Sequence, residues 1–281
     1  MGLNSSSAKV LCGVRFIADD LQSVAMIGRQ HLVADPRVLD RIYSLHGTRA
    51  PPPSKFAEPF FEALGASVVH SIDASDFEGA THVHDMNVPI CDALKGAYSL
   101  VFDGGTLEHI FDVPKALANA MQMVRVGGYF VQEVPANNQM GHGFWQFCPE
   151  YAYRTFTPHY GFEIVAVLVQ EGTRSFYLAH DPQQLGWRVQ LQNRLPTSLT
   201  VIARKTAERP IFTPPPQQSD YSALWEGNDR TDVVPRLRLV DILRKFIPAG
   251  LERSLRPTFQ NRAHRKISDA DIMRGNFGPI S

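Results

Sequence analysis

Tyr98-Ser99-Leu100-Val101-Phe102-Asp103-Gly104-Gly105-Thr106-Leu107-Glu108-His109 is the stretch whose reading decides the fold. Ser99 to Phe102 is a short apolar run, and an acidic Gly-Gly loop follows where such a strand ends. From Asp112 to Val124, apolar residues recur at Val113, Leu117, Ala120 and Val124, the period of a helix lying on a sheet. Val126-Gly127-Gly128 then breaks the helix, and Tyr129-Phe130-Val131 opens a second strand. The whole is a βαβ unit. Ligands of open α/β sheets bind beyond the carboxyl ends of such strands, so the loop holding Asp103, Glu108 and His109 marks the edge where chemistry is expected.

Outward from this unit, strands alternate with helices. Val24 to Ile27 reads as a strand stopped by Gly28, and Val38, Leu39, Ile42 and Leu45 share a helical face. Pro51-Pro52-Pro53 forces an extended loop. Phe56 to Leu64 is a helix closed by Gly65, Ser67 to Ile72 a strand ending at Asp73, and Thr81 to His84 a short strand ending at Asp85. Beyond the central unit, Pro149 to Tyr160 is helical, and Phe162 to Val169 pairs antiparallel with Leu199 to Ala203 as an edge addition. The expected fold is α/β: a Rossmann-like, mostly parallel sheet with an antiparallel last strand and helices on both faces. Residues 1–22 read as a leader, 23–207 as the α/β domain, and 208–281 as a Pro-rich linker and helical C-terminal extension. A basic helical segment is expected over 235–246. On this reading, a domain ending at Ala207 stands alone.

Composition narrows the function classes. The 281 residues carry 28 basic and 28 acidic side chains, so no global field favours nucleic acid or an anionic membrane. Cys12, Cys91 and Cys148 are scattered and form no CxxC, so neither a disulfide framework nor a cysteine zinc site is indicated, and no metal is expected. A reducing, cytoplasmic interior is the expected compartment. No apolar run approaches the roughly 18 residues of a membrane span, and residues 1–20 lack a signal-peptide core. Met1-Gly2-Leu3-Asn4-Ser5-Ser6 fits the loose myristoylation pattern, although a polar Ser-rich start reads more readily as a disordered leader.

Taken together, Phe102 to His109 and Val124-Arg125-Val126-Gly127-Gly128 resemble the class I S-adenosylmethionine-dependent methyltransferases, with valine where that family's turn before strand five carries proline. The resemblance covers roughly Val24 to Ala203. A narrower, poorly characterised bacterial branch is resembled at Gly28-Arg29-Gln30, Ile72-Asp73-Ala74-Ser75, Glu78-Gly79-Ala80, His84-Asp85-Met86-Asn87, Gly141-His142-Gly143-Phe144 and Gln146-Phe147. The resemblance implies S-adenosylmethionine as cofactor and methyl transfer to an oxygen or nitrogen of a small-molecule or glycan-like acceptor.

It also implies site residues. Gly28, Arg29, Asp73, Asp85, Asp103, Gly104 and Gly105 fall where the family meets the cofactor. Asp73 would accept from the ribose hydroxyls, or is a turn or N-cap aspartate. Asp85 would accept from the adenine amino group, or closes an Asx-turn before Pro89. Arg29 would pair with the cofactor carboxylate, or is a solvated charge. Gly104-Gly105 would let the backbone approach the sulfonium. His142, in an aromatic Gly-rich loop after the fifth strand, is the candidate acceptor base, with His109 in reserve. The departure is the first loop, which carries one glycine and no acid. A degenerate fold acting as a binding or scaffold module is therefore the competing reading. A dinucleotide enzyme is disfavoured because Gly28 lacks G-x-G-x-x-G. Among partners, only a homo-oligomer through the C-terminal extension is left open.

Overall fold

The computed structural model describes residues 2–173, 175–186, 188–225, 258–259 and 264–278. The basic segment expected over 235–246 lies outside them. The chain opens with β1 (Gly2–Leu3), α1 (Ser5–Ile17), β2 (Ser23–Ile27), β3 (His31–Leu32), α2 (Pro36–His46), α3 (Glu58–Ala63), β4 (Val68–Asp73) and β5 (His82–Val83). The central unit is β6 (Tyr98–Asp103), α4 (Val113–Met123) and β7 (Val124–Pro135), followed by α5 (Pro149–Thr155) and β8 (Phe162–Glu171). Then come β9 (Phe176–Ala179), α6 (Pro182–Leu185), β10 (Leu191–Gln192), β11 (Thr197–Lys205), α7 (Ser219–Trp225), β12 (Thr258–Phe259), β13 (His264–Ile267) and α8 (Asp269–Met273).

A nine-stranded sheet runs β13-β9-β8-β11-β7-β6-β2-β4-β5. Neighbours from β5 to β7 are parallel, and β11 is antiparallel to both β7 and β8. Within the parallel part, sequence order reads third, second, first, fourth, fifth: the doubly wound arrangement whose switch point lies between β2 and β6. β6 is buried along its whole length, as a strand covered on both faces must be. One apolar cluster packs α1, α2 and α3 on one face of the sheet, and a second packs α4 and α5 on the other.

Three expectations change. The β8–β11 pair is antiparallel and adds to the parallel strands, but it is not the edge: β9 and β13 continue the sheet beyond β8, and β11 sits between β7 and β8, with Leu199, Val201, Ile202 and Ala203 buried. β7 does not begin at Tyr129 but runs from Val124 through Gly127-Gly128, with an irregularity in its pairing to β6.

The ends of the chain are the third change. Residues 1–22 were read as a leader, yet β1 pairs with β3, and α1 buries Ala8, Val10, Leu11, Cys12 and Val14. Asn4 caps that helix, its side-chain oxygen accepting from Ser6 N at 2.7 Å and Ser7 N at 3.0 Å. The C-terminal end is no appendage either. β13 extends the sheet, and α8 crosses α1 so closely that a Cβ on Gly13 would lie 1.9 Å from the Ile272 carbonyl oxygen. Ile267, Ile272, Met273 and Phe277 are buried in the same cluster as α1. Full burial of a large apolar side chain contributes about 1.5–3 kcal/mol. Truncation after Ala207 is therefore expected to lower the thermal midpoint sharply and expose apolar surface, read by calorimetry and dye binding. An unchanged midpoint would return these segments to the status of an extension.

Candidate functional site

The carboxyl edge of the parallel strands divides into two halves, one around β2, β4 and β6, the other around β6 and β7.

In the first half, Gly28 turns the chain at φ 69° and donates from N to Ile72 O at 2.7 Å. Arg29 is partly exposed and held by several partners. Its Nε donates to Glu58 Oε1 at 2.7 Å, its Nη1 to Glu78 O at 2.6 Å, and the guanidinium lies 4.0 Å from the Phe56 ring centre. Gln30, fully buried, bridges the switch point: its Nε2 donates to Ile27 O at 2.7 Å and to Thr106 Oγ1 at 3.2 Å. Thr106 Oγ1 in turn donates to Ile27 O at 2.6 Å. A Cβ on Gly104 would come within 2.6 Å of Gln30 Oε1, so that glycine makes room for the amide.

Asp73 ends β4 partly exposed, with Oδ1 accepting a long 3.4 Å bond from Ser75 N. The neighbouring Phe77 is 91% exposed, a surface aromatic that sequence reasoning passed over. Asp85 has the turn geometry, Oδ1 accepting from Asn87 N at 2.9 Å and Asn87 Nδ2 at 2.7 Å. These bonds hold its carboxyl below the usual range. Asp103 is wholly buried and faces inward. Its Oδ1 accepts from Thr106 N at 2.8 Å, and its Oδ2 from Gln132 Nε2 at 3.0 Å. Gln132 Oε1 accepts from Tyr151 Oη at 3.2 Å. Burial raises the Asp103 pKa against those hydrogen bonds. Its carboxylate ties the loop to β7 through these bonds.

In the second half, a short turn after β6 places Glu108 and His109, and the loop after β7 places His142. The loop is stapled down by its backbone: Phe144 N donates to Glu108 O at 2.8 Å, and Trp145 N to the same oxygen at 3.3 Å. Gly143, at φ 76°, is required there, since a Cβ would meet Glu108 O at 2.7 Å. The result sets His142 Nε2 at 3.3 Å and His109 Nε2 at 3.8 Å from Glu108 Oε1, with the two rings 5.2 Å apart. The Glu108 side chain is 0% exposed, while both histidines reach solvent. Burial raises the Glu108 pKa, and the neighbouring Asp103 raises it further. Burial, then His142, lowers that of His109.

A cavity of about 240 Å³ opens on Glu108 and His142, lined also by Gly105, Glu133, Asn4 and Gly104 among others. It is smaller than the roughly 300–1,000 Å³ that encloses a whole drug-sized ligand, and suits the reacting ends of two molecules. Glu133 accepts from Asn4 Nδ2 at 2.9 Å and Ser7 Oγ at 2.5 Å. Gln132-Glu133 directly after the apolar run Tyr129-Phe130-Val131 was the available signal for these buried polar residues.

No protein-family model and no curated protein matches the chain. Solved structures do resemble it. A candidate methyltransferase of Bacillus halodurans C-125 shares 9% identity over 70% of this chain and 99% of its own, with TM-score 0.41. The trans-methyltransferase CalH, in complex with SAH, shares 13% over 72% of this chain and 57% of its own, with TM-score 0.39. A 16S rRNA (adenine(1408)-N(1))-methyltransferase variant of Catenulisporales acidiphilia shares 11% over 75% and 95%, with TM-score 0.38. Among the described residues, no helix is long and apolar enough to cross a membrane. By the order and direction of its own strands, the chain has the fold expected of the class I S-adenosylmethionine-dependent methyltransferases.

Proposed function

We propose that the chain is an S-adenosylmethionine-dependent methyltransferase acting on an oxygen or nitrogen of a small-molecule or glycan-like acceptor. The observation that carries the reading is the polar cavity beside Gly104-Gly105, lined by Glu108 and His142 with His109 next to them, on the carboxyl edge of a doubly wound sheet. The cofactor lies across the first half, where Gly28 turns, Asp73 holds the ribose and Phe77 offers an apolar face to the purine. Arg29 and Asp103 act there by shaping the loops, through the internal contacts described above. Asp85 stands beside them in its turn.

The acceptor enters over β6 and β7. Its lone pair forms the new bond to the methyl carbon as the carbon–sulfur bond breaks, and that bond's electrons neutralise the sulfonium. The acceptor's proton passes to His142 or its partner His109. Because the methyl is already activated by positive sulfur, the protein chiefly positions the two partners and excludes water.

Titration with S-adenosylhomocysteine is expected to give heat and raise the melting temperature. Asp73→Ala is expected to weaken that binding by about 1.5–3 kcal/mol, the worth of a charge-assisted hydrogen bond, without unfolding the chain. If its melting temperature collapses while affinity per folded molecule holds, Asp73 is a turn residue. The scaffold reading has one observation in its favour: Gln30 and Thr106 bridge the switch point, and Arg29 is committed to Glu58. A well-folded protein that gives no response to S-adenosylhomocysteine selects it.

A further inference from the structure

Glu108 is a buried acid, and among the described residues neither of its carboxylate oxygens accepts a hydrogen bond. Such a group is costly unless it is protonated or paired with positive charge. The side chains it faces are both imidazoles, at 3.3 and 3.8 Å, and one ligand atom from each of the three residues falls within 4.8 Å of the others. The acid therefore faces one ring nitrogen of each histidine, and either nitrogen can present a lone pair, depending on tautomer.

We propose that Glu108, His109 and His142 bind a divalent first-row transition-metal ion, zinc the best match, whose open position faces the cavity. Zinc takes imidazole nitrogen at about 2.0–2.1 Å and carboxylate oxygen at about 2.0–2.2 Å, so tetrahedral ligands lie about 3.3–3.5 Å apart. The Glu108–His142 pair already has that spacing, the Glu108–His109 pair is 3.8 Å apart, and rotation of the solvent-exposed ring of His109 draws its nitrogen in toward the other two. Two nitrogens and one oxygen suit zinc or iron(II) better than magnesium, which favours oxygen ligands and retains water.

Three protein ligands with a fourth position open is the pattern of a reactive rather than a structural zinc. The open position looks into the cavity of about 240 Å³. Resting on the methyltransferase reading, the ion takes over from the imidazoles: with their nitrogens as its ligands, His142 and His109 no longer receive the proton, and the ion holds and acidifies the acceptor's oxygen or nitrogen so that its proton leaves to solvent, which both rings reach. No ligand spacing is legible along the chain because a helix and a strand separate His142 from Glu108, and the stapled loop brings them together.

The test uses the full chain without a polyhistidine tag, stripped with chelator and titrated with zinc chloride. One equivalent should bind and raise the melting temperature, and cobalt(II) should give visible absorption bands of a low-coordinate site. Glu108→Gln, nearly isosteric but uncharged, should weaken zinc binding at least about tenfold. His142→Ala should do the same, and its exposed position spares the fold if the buried substitution does not. Absence of zinc binding by folded protein, or binding unchanged in His142→Ala, overturns the proposal. Zinc uptake without any response to S-adenosylhomocysteine supports the metal site while removing the methyltransferase reading. S-adenosylhomocysteine binding without zinc uptake does the reverse.

Discussion

A chain lacking residues 1–22 is expected not to fold. Leu3, Val10, Leu11 and Val14 are each 0% exposed. At about 1.5–3 kcal/mol for each large apolar side chain, their burial rivals the whole net stability of about 5–15 kcal/mol typical of a domain. Two further losses add to this. Without Asn4 and Ser7, the buried Glu133 carboxylate loses its donors, and burial already raises its pKa. Without α1, the apolar faces of Ile272 and Phe277 open to water. Expression of residues 23–281 should give aggregated or molten product, seen as lost near-ultraviolet circular dichroism and no cooperative melt. A cooperative transition near the full-length midpoint would mean that α1 adds little, against its burial.

The largest functional effect is expected at His142. Its replacement by alanine should leave the affinity for S-adenosylhomocysteine unchanged, because the residue sits over β6 and β7, away from Gly28 and Asp73. Methyl transfer to an accepted substrate, followed as release of S-adenosylhomocysteine, should fall about 10²–10⁴-fold, the range for loss of a positioned acid–base group. Folding should be preserved, since the ring is half exposed and its main partner is Glu108. Turnover near that of the wild type would shift the proton's destination to His109. Loss of cofactor affinity would put His142 in the cofactor half of the site.

Much of the fold was legible because its strands are short apolar runs ended by acids and glycines, and local pattern reports burial when both faces of a strand are covered. The βαβ unit from Tyr98 to Val131 was readable for this reason. The N-terminal helix was not: Ser5-Ser6-Ser7 resembles a disordered start, and only the capping of α1 by Asn4 and the apolar run behind it reverse that impression. The place of β11 between β7 and β8 was equally hidden, since an antiparallel pair reads the same at an edge or in a centre.

The site divides similarly. Local sequence determined which residues stand at the strand ends, because position along a strand is set by the chain itself; Gly28, Asp73 and Asp103 are all found there. Partners were decided only in three dimensions. Asp103 turned inward to Thr106 and Gln132, Arg29 was taken by Glu58, and Glu108 was brought beside His142. Side-chain partners depend on which distant segments meet, and here a stapled loop and a docked N-terminal helix make that choice. Spacing along the chain carries no record of such encounters, whereas burial converts them into the charge, hydrogen bonding and reactivity of the site.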